Sequence, residues 1–417
     1  MNKTITLNQT EYDSFFIGAW IKYIRTSKNY TQEYVSHGVC SVSHLSYFEN
    51  GVKPLHADQI ETILSRMDTC IANIPSEIDS VHSIIQNMLG DIELYDYVAA
   101  KDEYDKLLNY EEILRMSPYY LEYQICCITY RYFVLDMKLS SQRLEIEMLD
   151  KVYKSFPDDL RFRYLFISGI LYFYDNQFDE GMGRLYDAEK IRRTTWLNYI
   201  IGMLLSKHSE QGRGIIYLER ALDNYEMGGR YQNAIWCHSY LGCCFTELGM
   251  YAQAMEHFKA GLQSLQLIST DRLCRTIYNN FANMYQHLKD YNNCKIWSKK
   301  AMAYGTAKII PTYNYLYACH MLGENDECRQ VLSEMETPEY QENEYYPALE
   351  FMNLWINHFD DKTFYDRTKK EIIPYFEEMH KSDILNDIYN VMIEYLESRR
   401  KYKEATVYYR KLLGVTK

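Results

Sequence analysis

Asn279 and Asn283 stand four residues apart in a segment that reads as helix, so both amides fall on one face. An amide side chain offers a donor and an acceptor at once. A ladder of such groups can therefore hold the backbone of an extended peptide without reading its sequence. The plain alternative is a pair of solvated surface amides. Covalent chemistry has no comparable candidate: the sequence holds no phosphate loop, no His-Glu-x-x-His zinc helix and no Gly-x-Ser-x-Gly elbow. Gly181-x-Gly183 lies in a helical pattern, where it serves packing. Eleven cysteines include the adjacent pairs Cys126-Cys127 and Cys243-Cys244 but no C-x-x-C pair, and they read as reduced, mostly buried thiols. Neither an enzyme, a metal site nor a cofactor is expected.

The frame that must carry the asparagines is repetitive. Ile201-Gly202-x-x-Leu205, Leu241-Gly242-x-x-Phe245 and Phe281-Ala282-x-x-Tyr285 recur at an offset of 40. Each is followed by a small residue (Gly214, Ala254, Cys294), then by Leu218, Phe258 or Ser298, then by Ala221, Gly261 or Ala301. This pattern resembles the tetratricopeptide signature, in which small residues let two antiparallel helices approach and aromatics fill the gaps between hairpins. The resemblance implies a superhelix whose inner helices line a concave surface. On that frame the positions equivalent to Asn279 are Tyr199, Ser239 and Asn314, with Trp196 and Trp236 nearby. Gly169, Tyr172, Phe178, Gly181, Leu185 and Ala188 fit an earlier hairpin; Leu316, Cys328 and Leu332 fit a later one, and Ala405 and Tyr409 a last one. Residues 91–160 and 340–380 are helical but match poorly, as degenerate repeats. No stretch alternates with period two, so the expected class is all-α.

The first 70 residues read differently, as several short helices. Ile17, Trp20, Ile21 and Ile24 fall at i, i+3, i+4 and i+7 and mark one buried stripe. Thr31 and Ser41 are N-cap candidates for a second and a third helix, Gly38 permits a tight turn between them, and Asn50-Gly51 is a stop signal. Ile60, Ile63, Leu64 and Met67 give a fourth apolar face. Beyond, Pro75-Ser76-Glu77 starts a linker helix whose stripe Ile78, Val81, Ile84, Ile85 and Leu89 ends at Gly90. That stripe suits either its own solenoid or a second subunit. The expected division is 1–70, 71–90 and 91–417.

The run from Ile24 to Glu33, followed by Val39 to Gly51, closely resembles the helix-turn-helix of phage-repressor-like regulators. The resemblance implies that the third helix enters the major groove of duplex DNA while capping groups and amides fix phosphates. Carried over by position, Val42, Ser43, His44 and Tyr47 are the base-facing candidates, Ser41 the cap, Gln32 a phosphate anchor, and Lys53 or Lys28 further anchors. Val42 departs from the family, where a polar side chain is usual; an apolar contact such as a thymine methyl has to replace it. Arg25 and Glu49 match positions that form a buried ion pair bracing the module.

Composition bounds the remaining choices. The net charge of −12, with six Lys and Arg against seven Asp and Glu in residues 1–70, argues against a protein coated in nucleic acid. DNA contact must then rest on local placement of charge, with low non-specific affinity. The 42 tyrosines suit helix packing and the lining of a peptide groove. The start is polar and mildly acidic, unlike a signal peptide, and the longest apolar stretch, near Tyr164 to Tyr174, is far short of the ~20 residues that cross a bilayer. A cytoplasmic protein without membrane contact is expected.

Together, a repressor-like module, a linker helix and a long tetratricopeptide array resemble the peptide-sensing regulators of the Rap, NprR, PlcR, PrgX and Rgg group. The resemblance implies a quorum-sensing-type transcription factor that binds DNA at one end and a short signalling peptide in its repeats. It also implies a homodimer, as two-fold operators require, and peptide binding that alters the spacing of the two DNA-binding modules. A repeat-protein scaffold and a phosphorelay-modulating protein are the alternatives.

Overall fold

The computed structural model describes residues 14–71, 75–208, 210–306, 308–379 and 382–413, and among these every regular element is helical. They form two compact units, one from residues up to 208 together with 216–230, the other from the remainder.

The first unit opens with α1 (Ser14–Ser27), α2 (Gln32–Ser36), α3 (Val42–Glu49) and α4 (Ala57–Arg66). It continues through α5 (Pro75–Glu93), α6 (Tyr97–Leu108), the single turn α7 (Glu111–Leu114), α8 (Tyr120–Phe133), α9 (Leu139–Asp150), α10 (Asp158–Tyr174), α11 (Phe178–Ile191) and α12 (Thr195–Lys207). The helix α13 (Gln211–Met227) completes it, apart from its first residues. The linker helix does not stop at Gly90: the glycine lies within α5, which runs three residues further to Glu93. A lone glycine weakens a helix by only about 1 kcal/mol, which tertiary packing overrides. Val81, Ile85, Met88 and Ile92 are buried in a core with Ala100 and Leu107 of α6 and with Tyr123 and Cys127 of α8, so the stripe packs on its own chain.

The second unit holds α14 (Tyr231–Glu247), α15 (Tyr251–Ser264), α16 (Asp271–His287), α17 (Tyr291–Met302), α18 (Ile309–Met321), α19 (Asn325–Glu334), α20 (Pro338–Gln341), α21 (Tyr346–His358), α22 (Lys362–Arg367), α23 (Ile373–Glu378), α24 (Ser382–Ser398) and α25 (Tyr402–Leu412).

The 40-residue repeat is now physical. Gly202, Gly242 and Ala282 lie on α12, α14 and α16, while Gly214, Ala254 and Cys294 lie on α13, α15 and α17, and all six are buried. A Cβ on Gly242 would stand 2.2 Å from the ring of Phe258, so the glycine of one helix is the socket for the aromatic of the next. In the hairpin α10–α11 the close approach is of main chain to main chain. A Cβ on Gly181 would meet Phe173 N at 2.6 Å and Gly169 O at 2.7 Å, backbone on backbone. In the last hairpin Ala405 is buried as expected, but the aromatic packed inward is Tyr408, and Tyr409 is exposed. Its hydroxyl instead reaches Glu397 at 3.0 Å.

Among the described residues no helix is long and apolar enough to cross a membrane. All eleven cysteines are free thiols, eight of them buried.

Candidate functional site

The N-terminal module places its third helix by capping and by close packing. The Thr31 hydroxyl accepts from Tyr34 N at 3.1 Å to start α2, and the Ser41 hydroxyl accepts from His44 N at 3.1 Å to start α3. Val35, Leu45 and Phe48 are fully buried and fix both helices to the core. Gly51, at φ +71°, supplies the left-handed residue that ends α3. α1 passes so near α3 that a Cβ on Gly18 would stand 2.2 Å from Phe48 O.

What α3 leaves outside is mostly apolar. Val42 is 43% exposed and Tyr47 48%, and Ser43 lies between them on the open side. His44 behaves otherwise: its Nε2 sits 3.1 Å from Pro54 O, an acceptor only, so Nε2 donates there and ties the ring to the turn after α3. Lys53 Nζ stands 5.4 Å from the Tyr47 ring centroid, a cation–π contact at the rim of the helix. Gln32 Nε2 donates to Glu49 Oε2 at 2.7 Å. Lys28 Nζ donates to Met67 O at 2.5 Å and closes the end of α4, so of the two lysines it is Lys53 that stands beside α3. Lys22, unforeseen as a site residue, donates to Asn50 Oδ1 at 2.8 Å. Burial pulls its pKa down from the ordinary lysine value against the opposing pull of Glu49.

Arg25 and Glu49 form a bidentate pair, Nε to Oε1 at 2.6 Å and Nη2 to Oε2 at 2.8 Å, while Nη1 donates to Tyr30 O at 2.9 Å. Glu49 is fully buried and Arg25 only 8% exposed. The pair spans α1 and α3 and, through Tyr30 O, fixes the turn before α2. It works as a brace, because neither group reaches the open face.

Sequence gave no sign that the module rests on the helices that follow. Ile17, Trp20, Leu45 and Phe48 share one apolar core with Leu121, Ile125, Ile146, Phe156 and Tyr164 of the same unit. Phe16 meets Tyr119 edge-on at 5.9 Å, and Ser155 Oγ donates to the Glu49 carbonyl at 3.1 Å. The turn that carries Ser155 is itself braced next door, where Asp150 accepts from Tyr164, Tyr172 and Arg184 at 2.6 to 2.7 Å.

The peptide-ladder candidates divide between the units. In the first, Tyr199 is only 4% exposed and shares a 3.1 Å hydrogen bond between hydroxyls with Tyr95, while Trp196 packs against Phe133 and Phe166. In the second, side-chain amides bridge successive helices. Asn314 Nδ2 donates to Asn279 Oδ1 at 3.0 Å, and Asn280 Nδ2 donates to Ser239 Oγ at 2.7 Å. Ser239, Asn279 and Asn314 are thereby joined in a ladder from α14 through α16 to α18. The side chain of Asn283, half-buried one turn on, makes no hydrogen bond among the described residues. The rung that sequence reasoning missed is Asn280; its signal was the doublet Asn279-Asn280, whose two amides serve opposite neighbours. Trp236 is buried under Arg272, 5.1 Å from the ring.

Next to Ser239, His238 Nδ1 lies 3.0 Å from His257 Nδ1, and Phe245 stacks on the His257 ring at 5.4 Å. Burial, with His238 as a second cause, pushes the His257 pKa down to about 4. The folded pKa lies below the unfolded value of about 6.5, so the unfolded chain takes up a proton that the folded one refuses. Stability of the second unit should be complete above about pH 6.5 and fall as pH drops toward 4. His257→Gln should flatten the melting temperature against pH across that window; an unchanged slope would show that the pair carries none of it.

Cys319, Glu324 and Glu327 lie close enough together to be weighed as metal ligands. Lys295 Nζ, however, sits 2.6 Å from both carboxylates, and the Tyr315 hydroxyl donates to Glu327. An ammonium is already shared by both carboxylates, and the cluster reads as a structural clasp between α17 and α19.

Over 413 residues the chain is 20% identical to the transcriptional activator NprA of Geobacillus stearothermophilus, spanning 90% of this chain and 97% of that protein. In fold it matches the apo form of the quorum sensor NprR from B. thuringiensis, with a TM-score of 0.64 at 19% identity over 82% of this chain and 99% of that one. NprR in complex with its cognate peptide NprX gives 0.59 at 18% identity, over 82% and 99%. A Rap protein complexed with Competence and Sporulation Factor gives 0.67 at 14%, over 81% and 98%. No family model matches. The chain thus has the all-helical repeat fold of NprR and Rap proteins and is related in sequence to NprA, the group its motifs resemble.

Proposed function

We propose that this chain is a peptide-responsive transcriptional regulator rather than an enzyme, acting in the cytoplasm as a homodimer. In this reading residues 1–70 bind specific duplex DNA, 71–90 link, and 91–417 bind a short signalling peptide and carry the dimer contact. The observation that carries the reading is the capped α3, held by the Arg25–Glu49 brace with its outer face open, in a chain similar over 90% of its length to a transcriptional activator. Ser41, Val42, Ser43, Tyr47 and Lys53 face DNA, with Gln32 at the phosphate backbone and His44 fixing the turn. Asn279, Asn280 and Asn283, half-buried on α16, offer the amides that an extended backbone meets, while Ser239 and Asn314, buried as deeply as Tyr199, hold Asn280 and Asn279 in place from α14 and α18. Asn283 supplies a contact that breaks nothing. The likeness to NprR, known in complex with its cognate peptide, supports peptide binding by a fold of this kind. Tyr199, buried against Tyr95, shapes its own unit instead of touching peptide directly.

The test is direct. The protein is purified from its host, co-purifying peptides are identified by mass spectrometry, and binding to DNA upstream of its own gene is measured with and without them. Peptide-dependent, salt-dependent retardation of one fragment over others is expected. Equal affinity for all fragments, with dephosphorylation of a response regulator instead, would favour the phosphorelay-modulating alternative.

A further inference from the structure

The outer face of α3 lacks the groups that ordinarily read bases. Arg or Lys on guanine, and Asn or Gln on adenine, account for most bidentate recognition in the major groove. α3 has no Arg, Lys or Gln. The amide that caps its end, Asn50, accepts from Lys22 at 2.8 Å and donates to Ser46 O at 2.8 Å, so both ends of it are used inside the protein. His44 is committed to Pro54 O. What remains on the open side is the methyl pair of Val42, the hydroxyl of Ser43 and the ring of Tyr47, flanked by Lys53.

We infer that this protein, if it binds DNA as proposed above, reads its operator chiefly through thymine methyl groups, with Val42 and Tyr47 as the specificity-determining side chains. Thymine C5-methyl is the one apolar feature that a standard base pair presents in the major groove. Val42 is in the first turn of α3, where recognition helices of this type meet base edges, and its β-branched side chain is held stiffly at χ1. Leaving it exposed costs hydrophobic free energy in the unbound protein, and a methyl contact recovers it on binding. Ser43 adds a hydrogen bond that any base can satisfy, so it orients without selecting. Lys53, held over the Tyr47 ring, supplies charge to the adjoining phosphate without competing for a base.

The experiment uses the full chain from its native host, so that any small ligand it carries stays bound, and selects duplexes from a random library. Each thymine of the enriched half-site is then replaced by deoxyuridine, which deletes only the methyl group. Affinity should fall about four-fold per contacted methyl, the value of one buried apolar carbon. Val42→Ser, which removes both γ-methyls at an exposed first-turn position, should weaken binding to the thymine site yet bind thymine and deoxyuridine duplexes alike at one position. An enriched site indifferent to every deoxyuridine would overturn this inference and leave the regulator reading standing. Failure to enrich any sequence would overturn both.

Discussion

Arg25→Ala should destabilise the first unit by about 3–5 kcal/mol, the usual cost of leaving one member of a buried ion pair without the other. Glu49 is fully buried, and without the guanidinium its carboxylate would keep only the Gln32 amide and lose two short charge-assisted bonds. Tyr30 O would lose its donor as well, so the turn between α1 and α2 would loosen with the helices. Urea unfolding of the whole chain reads the loss. The double replacement Arg25→Met with Glu49→Leu should recover most of it, because no uncompensated charge then stays inside. A single variant as stable as the parent would mean that water reaches Glu49 and that the brace is ornamental. DNA binding lost in Arg25→Ala reports folding, since neither side chain reaches the open face.

Gly18→Ala should come second in size, at about 1–3 kcal/mol of destabilisation. On an exposed helix the same change would stabilise by up to about 1 kcal/mol, because alanine is the better helix former. The sign is decided by what the new methyl meets: the backbone oxygen of Phe48, 2.2 Å away, in a strand of contacts that cannot swing aside as a side-chain tip can. Relief requires α1 and α3 to separate, which also strains the Arg25–Glu49 pair between the same helices. A rise in melting temperature would contradict the close crossing.

Much of this was legible from local signals. Caps at Thr31 and Ser41, the stop at Asn50-Gly51 and the period of the apolar residues act within a few positions, and the structure places α2 and α3 where those signals fall. The offset of 40 between Gly202, Gly242 and Ala282 carried the hairpins in the same way. What stayed hidden is set by partners far along the chain. His44 and Lys28 look like free polar groups in sequence, and only folding brings Pro54 O and Met67 O to them. Asn280 was overlooked because it is one residue off the face that period counting selects, yet that offset is what aims it at Ser239. Tyr408 replaced Tyr409 as the inward aromatic because Tyr408, three residues after the buried Ala405, shares its helix face, whereas Tyr409 is turned to the exposed side.

The contact of Phe16 with Tyr119, and of Ser155 with Glu49, bears on any attempt to exchange heads between related proteins. A graft of the first 74 residues onto a foreign array would arrive with an oily flank where Leu121, Phe156 and Tyr164 used to lie, and would invite aggregation. The sound seam for such a transplant lies beyond α11, so that the donor brings its own seat, with Arg184 on Asp150, along with it.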